Sequence, residues 1–203
     1  MRRFFDRADT QWRMPQDCLH IYALPAPDDP ARDDYRRMAA ALAQIPGMGD
    51  QPVDYMHATV QRYDAFAAEL ADPRWQDALA RMERVAAGYA PLDLVFGSPQ
   101  VRSHAVEAVG ELSAQWTALT AELRTAVSDA GLGSTVTEAP YAPHYTVAYC
   151  LAPTPDEVVA RALAPVATAT SFRVDRLSLV AVTPDQATGS FGFHCLREWK
   201  LAG

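Results

Sequence analysis

Short β-branched or aromatic runs alternate along this chain with longer stretches whose apolar residues recur at helical spacing. Residues 18–24, "CLHIYAL", read as a first strand closed by Pro25. The segment "DDPARDDYRRMAAALAQIPG" offers Asp29 as N-cap and Pro30 at the first helical position, with Tyr35, Met38, Leu42 and Ile45 on one stripe. Pro46 and Gly47 stop it. Residues 53–63 read as a second strand, and a helix over 73–87, entered through Asp72 and Pro73, carries Trp75, Leu79, Met82 and Ala86 on one face.

Residues 91–109 read as two strands joined at "GSP". A long helix is expected from Glu111 to Ala130, with Leu112, Trp116, Leu119, Leu123 and Val127 in register and "GLG" at 131–133 as its stop. That triplet lacks the GxGxxG spacing and the preceding strand of a phosphate loop. A further strand covers "PHYTVAYC", residues 143–150, and Thr154 with Glu157 forms a capping box for a short helix around Pro155. Two long strands, at about 172–183 and 190–200, close the chain as a hairpin with Phe191, Phe193, Cys195 and Trp199 on one face.

This order contains an approximate internal duplication. Each half runs through a helix, a strand carrying His-x-Thr, a helix and a strand pair. The pattern repeats although the letters do not. It predicts an α+β fold, two-lobed and pseudo-symmetric, in which two antiparallel β-sheets face each other across a central cleft with helices on their outer sides. Residues 1–203 are read as one unit of two closely packed lobes, and their apolar content of 49% is enough for a substantial core.

Composition narrows the partners. The net charge of −7 and pI of about 5.1 disfavour coating of long nucleic acid through phosphate contacts. Every basic side chain except Lys200 is arginine, which can hold a phosphate with two parallel hydrogen bonds. Three scattered cysteines, Cys18, Cys150 and Cys195, form no CxxC pair and are expected to be free thiols. The amino terminus "MRRFFDRADTQW" meets Asp6 and Asp9 before any apolar run, so neither a signal peptide nor a membrane anchor is expected, and the expected location is the cytoplasm. The chain is expected to act as a monomer.

The chemistry sits in "MHATVQRY", residues 56–63, and "PHYTVAYC". On an extended strand residues i and i+2 share a face, so His57 points with Thr59 and His144 with Thr146. If the sheets face each other, two imidazoles and two hydroxyls converge. Such a set suits metal-free phosphodiester chemistry. One neutral imidazole accepts a proton from the nucleophile, one imidazolium protonates the leaving oxygen, and the hydroxyls donate to the non-bridging phosphoryl oxygens.

Paired His-x-Thr motifs on strands, flanked by helices and followed by Val60 and Val147, resemble the two-histidine (2H) phosphoesterases, which include 2′-5′ RNA ligase-like proteins and cyclic phosphodiesterases. The resemblance implies opening or hydrolysis of a 2′,3′-cyclic or 2′-5′ phosphodiester on a small nucleotide or RNA end, without a cofactor or metal. It makes His57 and His144 the acid/base pair and Thr59 and Thr146 the phosphate binders. Some members carry a basic residue just after the second motif, where this chain has "AYC". Two other uses of the same residues stand beside this one: a module that binds a nucleotide or RNA end without turnover, and a zinc hydrolase using His57, His144 and His104.

Four more residues are candidate cleft contacts. Tyr141, Tyr63 and Arg102 are placed to stack a base or bind a phosphate, and His20 shares a strand face with Tyr22. Cys150 falls on the His144 face by period-two counting. Six residues of strand, about 20 Å, separate the two and preclude a direct hydrogen bond.

Overall fold

The computed structural model describes residues 1–202. Nine strands and four α-helices follow two short 3₁₀ turns at Phe4–Asp6 and Ala8–Thr10. In chain order they are β1 (Cys18–Ala23), α1 (Ala31–Leu42), β2 (Ala58–Phe66), α2 (Pro73–Ala87), β3 (Leu92–Phe96), β4 (Gln100–Val101), β5 (Ala105–Val109), α3 (Ala114–Val127), β6 (His144–Tyr149), α4 (Asp156–Leu163), β7 (Thr170–Val174), β8 (Arg176–Asp185) and β9 (Ser190–Lys200).

One antiparallel sheet has the order β2-β1-β8-β9. The other comprises β4-β5-β6 and the pair β3-β7, joined by a bridge between Phe96 and Gly110. Gly97, Ser98 and Pro99 interrupt the strand between β3 and β4, because proline lacks the ladder N–H, so one side of β5 is covered by two short strands in place of one. The two His-x-Thr strands, β2 and β6, lie at the edges of their sheets. Residues 47–49 fasten the lobes together: Gly49 N–H donates to the Tyr149 carbonyl at 2.7 Å and Leu151 N–H to Gly47 at 2.7 Å. Gly189, at φ +72°, lies against Gly49 so closely that a Cβ there would meet Gly49 Cα at 2.8 Å.

The helices cover the far faces. The α2 and α3 pair packs behind β9 and β2, while α1 and α4 pack behind β6, β7 and β4. Alternate strand residues feed this main core: Leu19, Ile21, Ala58, Val60, Leu177 and Leu179 meet Trp75, Met82, Trp116 and Leu123. A second cluster, on the cleft side, gathers Phe4, Phe5, Tyr22, Ala105, Tyr149, Val180, Val182 and Phe191.

Several local expectations change. Pro30 itself is the α1 N-cap, although the Asp29 carboxylate still accepts the Ala31 N–H at 2.9 Å. Residues 53–55 form a 3₁₀ turn, so the strand begins at Ala58. Ser113, whose hydroxyl accepts the Trp116 N–H at 3.0 Å, starts α3 later than Glu111 and leaves Leu112 59% exposed. No capping box forms at α4, because the Thr154 hydroxyl donates to the Ala152 carbonyl at 2.8 Å. The stretch 172–183 divides at Asp175 into two strands of different sheets. A bulge in β9 at Leu196 turns Trp199 into the main core, on the face opposite Phe191 and Phe193.

Candidate active site

The cleft is a cavity of about 570 Å³ between the sheets. His57 and Thr59 reach it from one lobe and His144 and Thr146 from the other. Each histidine is oriented in the same way. His57 Nδ1 lies 2.7 Å from the Tyr55 carbonyl, and His144 Nδ1 lies 2.9 Å from the Ala142 carbonyl, two residues back in both cases. A carbonyl only accepts, so Nδ1 holds the hydrogen of the neutral ring and Nε2 is left for the cavity. The Tyr35 hydroxyl, from α1, donates to the Thr146 carbonyl at 3.0 Å and fixes β6 from behind.

Both strands bulge just after the motif. The register slips between Thr59 and Gln61 on β2, and between Thr146 and Ala148 on β6. One extra residue reverses the face of everything beyond it. Arg62 and Tyr149 therefore line the cleft, whereas Tyr63 and Cys150 turn into the main core. Tyr63 is fully buried against Trp75, its hydroxyl without a partner, and is no cleft contact. The first bulge is held by Gln61: its amide oxygen accepts from Arg124 at 2.7 Å, and its amide NH₂ donates to the Thr137 carbonyl at 3.0 Å. Gln61 is buried, so these bonds offset the desolvation of its amide.

The neighbours of the two motifs differ. Tyr22 stands beside Thr59, and its ring stacks on His57 at 3.8 Å between centroids, with Phe193 edge-on at 5.9 Å. This enclosure pushes the His57 imidazolium down to about 4; the Tyr55 carbonyl opposes the shift and nearby His144 adds to it. Glu107 stands beside Thr146, in the place that Tyr22 takes in the other lobe. His144 is covered by the ring of Tyr141, stacked at 5.0 Å and 61% exposed. The Tyr141 hydroxyl donates to Glu107 at 3.4 Å.

His20 lines the cavity beside Tyr22 and is 5% exposed. Burial, outweighing the hydrogen bond to the Cys18 carbonyl, pushes it down to about 3 and keeps it neutral. Arg102 lies outside this cleft. It lines a neighbouring cavity of about 560 Å³ together with His104, so His104 does not join His57 and His144. Among the described residues, no group of three or more His, Cys, Asp or Glu is placed to hold a metal ion. The three cysteines are free thiols, Cys18 and Cys150 buried and Cys195 exposed.

Sequence reasoning missed the amino-terminal wall of the cleft. Phe4 packs edge-on against Tyr149 at 4.4 Å, and Trp12 tilts over His20 at 5.5 Å. Arg7 lies over the Phe4 ring at 5.0 Å and pairs with Asp9 at 2.6 Å. The signal was present as paired phenylalanines and a tryptophan in an otherwise polar stretch. Arg62, Tyr149, Tyr22 and Glu107 were also missed, because their placement depends on strand pairing and on the bulges.

Two antiparallel sheets with four outer helices around one cleft define a LigT-like class of fold. TT0787 of Thermus thermophilus is 18% identical over 92% of this chain and 98% of its own, with a TM-score of 0.70. E. coli LigT complexed with NADP+ is 16% identical over 93% and 99%, at 0.63, and the same protein complexed with 3′-AMP is 17% identical over 93% and 99%, at 0.59. No curated protein matches the sequence significantly. The model of the 2′-5′ RNA ligase superfamily matches residues 57–186, most of the chain and both motifs, and the protein belongs to that superfamily. No helix among the described residues is long and apolar enough to cross a membrane.

Proposed function

We propose that this protein is a metal-independent phosphoesterase that opens a 2′,3′-cyclic or 2′-5′ phosphodiester of a nucleotide or RNA end. The observation that carries the reading is the pair of imidazoles, each tied through Nδ1 to a carbonyl two residues back, sharing one cavity with a threonine hydroxyl from the same strand. His57, pushed down to about 4, is neutral near pH 7 and serves as the acceptor. On a 2′,3′-cyclic phosphate, His57 Nε2 takes a proton from water as its oxygen bonds to phosphorus. The bond to one ribose oxygen breaks in line, and His144 Nε2 protonates that oxygen. The product is a nucleoside monophosphate, and proton exchange with solvent restores both rings.

Thr59 and Thr146 donate to the non-bridging oxygens, and Arg62 adds a positive charge from the first lobe. That placement answers the missing basic residue after the second motif. The bulges put Arg62 and Tyr149 at matching positions, so the cation stands in the other lobe. The ring of Tyr141 offers a stacking face for a base beside His144. The complexes of the E. coli relative with 3′-AMP and NADP+ support a small nucleotide as the ligand.

The test is a panel of 2′,3′-cyclic nucleotides and 2′-5′ linked oligomers incubated with the protein in EDTA, the products being separated by chromatography. Nucleoside monophosphates or shortened oligomers are expected. Tight binding of these compounds with no product would reassign the cleft to a binding role.

A further inference from the structure

We propose that the hairpin turn Arg102–His104 forms, with Arg7, a second anion subsite that receives a second phosphate attached to the same nucleoside as the scissile one. This rests on the reading above for the first phosphate. Three observations support it. The cavity of about 560 Å³ at this turn shares Arg7, Glu107 and Tyr141 with the catalytic cleft, so the two adjoin along these residues and one ligand can reach into both. The guanidinium is not neutralised: most arginines of this acidic protein have a carboxylate within 4.0 Å, as Arg7 has in Asp9, but Arg102 and neighbouring Arg2, like Arg62, Arg84, Arg124 and Arg161, have none among the described residues. The turn is also preformed, with Arg102 N–H donating to the Ala105 carbonyl at 2.9 Å and the His104 carbonyl accepting from Cys150 at 2.8 Å.

An unpaired guanidinium, a second one and an imidazole suit a doubly charged phosphate. Slight burial together with Arg2 and Arg7 holds His104 below its ordinary value, while Asp9 and Glu107 oppose this. An incoming phosphate would raise it and so draw a proton into the site. Glu107 is the one carboxylate in the cavity wall, and its contact with the Tyr141 hydroxyl marks the boundary between the two cavities. The substrate class is thereby narrowed to nucleotides with a phosphate at each end of one nucleoside, whether that second phosphate is terminal or the next link of a chain.

The experiment is calorimetric titration, in EDTA, of adenosine 3′-monophosphate, adenosine 3′,5′-bisphosphate and a dinucleotide 3′-phosphate. The wild-type protein should bind the bisphosphate at least about ten-fold more tightly than the monophosphate, on the order of one charge-assisted contact. In Arg102→Ala/His104→Ala that ratio should fall to about one, and Arg102→Glu should invert it. The dinucleotide, whose second phosphate is a diester, tells a chain end from a terminal 5′-phosphate by whether it shares the preference. Equal affinities in the wild type, a preference that survives the double substitution, or no binding of any probe would overturn the subsite. Absence of turnover with the bisphosphate preference intact would instead count against the phosphoesterase reading alone.

Discussion

The His57 half of the cleft is closed under aromatic rings, and the His144 half is open beside a carboxylate. Both use the same device, a histidine held at Nδ1, a threonine two residues on, and a bulge that presents one more side chain. The difference arises on the neighbouring strand: β1 gives Tyr22 beside Thr59, and β5 gives Glu107 beside Thr146. Stacking and desolvation favour a neutral ring at His57. The lesson is that a duplicated motif can be given two different surroundings by changing its neighbours and leaving the motif itself alone.

The largest effect expected is loss of either ring. His57→Ala and His144→Ala should each lower kcat by about 10²–10⁴ with unchanged circular dichroism, and the double variant should lose little more, because the two rings act as one unit. Equal kcat in either variant and the wild type would break the assignment of both halves. Thr59→Ala and Thr146→Ala should each cost about 10² in kcat, in the range for one donor to a developing oxyanion. A loss confined to KM would place that hydroxyl in ground-state binding only.

The two bulge residues sharpen the comparison further. Arg62→Ala should raise KM about ten-fold, since a charge-assisted contact to phosphate is lost, whereas Tyr149→Phe should change it by less than about three-fold. If Tyr149→Phe were the more damaging, the cationic half would have been placed in the wrong lobe. Tyr22→Leu removes the ring that covers His57, so the His57 titration followed by NMR should move up from about 4 towards the ordinary 6.5.

The smallest effect concerns stability. His20 and His57 are held below 6.5 in the fold, so below that pH the unfolded chain takes up protons that the native one does not. Stability is therefore fully present above about 6.5 and declines as pH falls, His57 ceasing to contribute near 4 and His20 near 3. For His20 the slope is at most about 1.4 kcal/mol per pH unit. Urea unfolding at several pH values, with His20→Phe as the variant lacking that dependence, checks the sign.

Much of this was legible in the chain. The helix 73–87 followed from Asp72, Pro73 and a regular apolar stripe, and the structure has it over those residues. The two-lobed plan and the meeting of His57, Thr59, His144 and Thr146 in one cavity followed from two similar strands and alternation. Alternation failed at Val60, Val147 and Leu196, where a bulge adds a residue and exchanges the faces. Tyr63 and Cys150 were thereby read as facing the cleft, and Arg62 and Tyr149 were overlooked. A bulge is set by pairing and by half-buried partners such as Arg124 and Thr137 around buried Gln61, which come from distant sequence. The Phe4, Arg7 and Trp12 wall escaped for a similar reason. No periodicity marks two short 3₁₀ turns, and only docking against Tyr149 and His20 gives them a role.

The most direct test of the central claim, that one neutral and one protonated imidazole share the chemistry without a metal, is kcat/KM for a 2′,3′-cyclic nucleotide measured across pH in EDTA. The account predicts a profile whose acid limb lies near 4, where His57 takes up its proton, and turnover that is lost at every pH in His144→Ala. A profile without an acid limb, or activity that EDTA removes and a divalent cation restores, would contradict it.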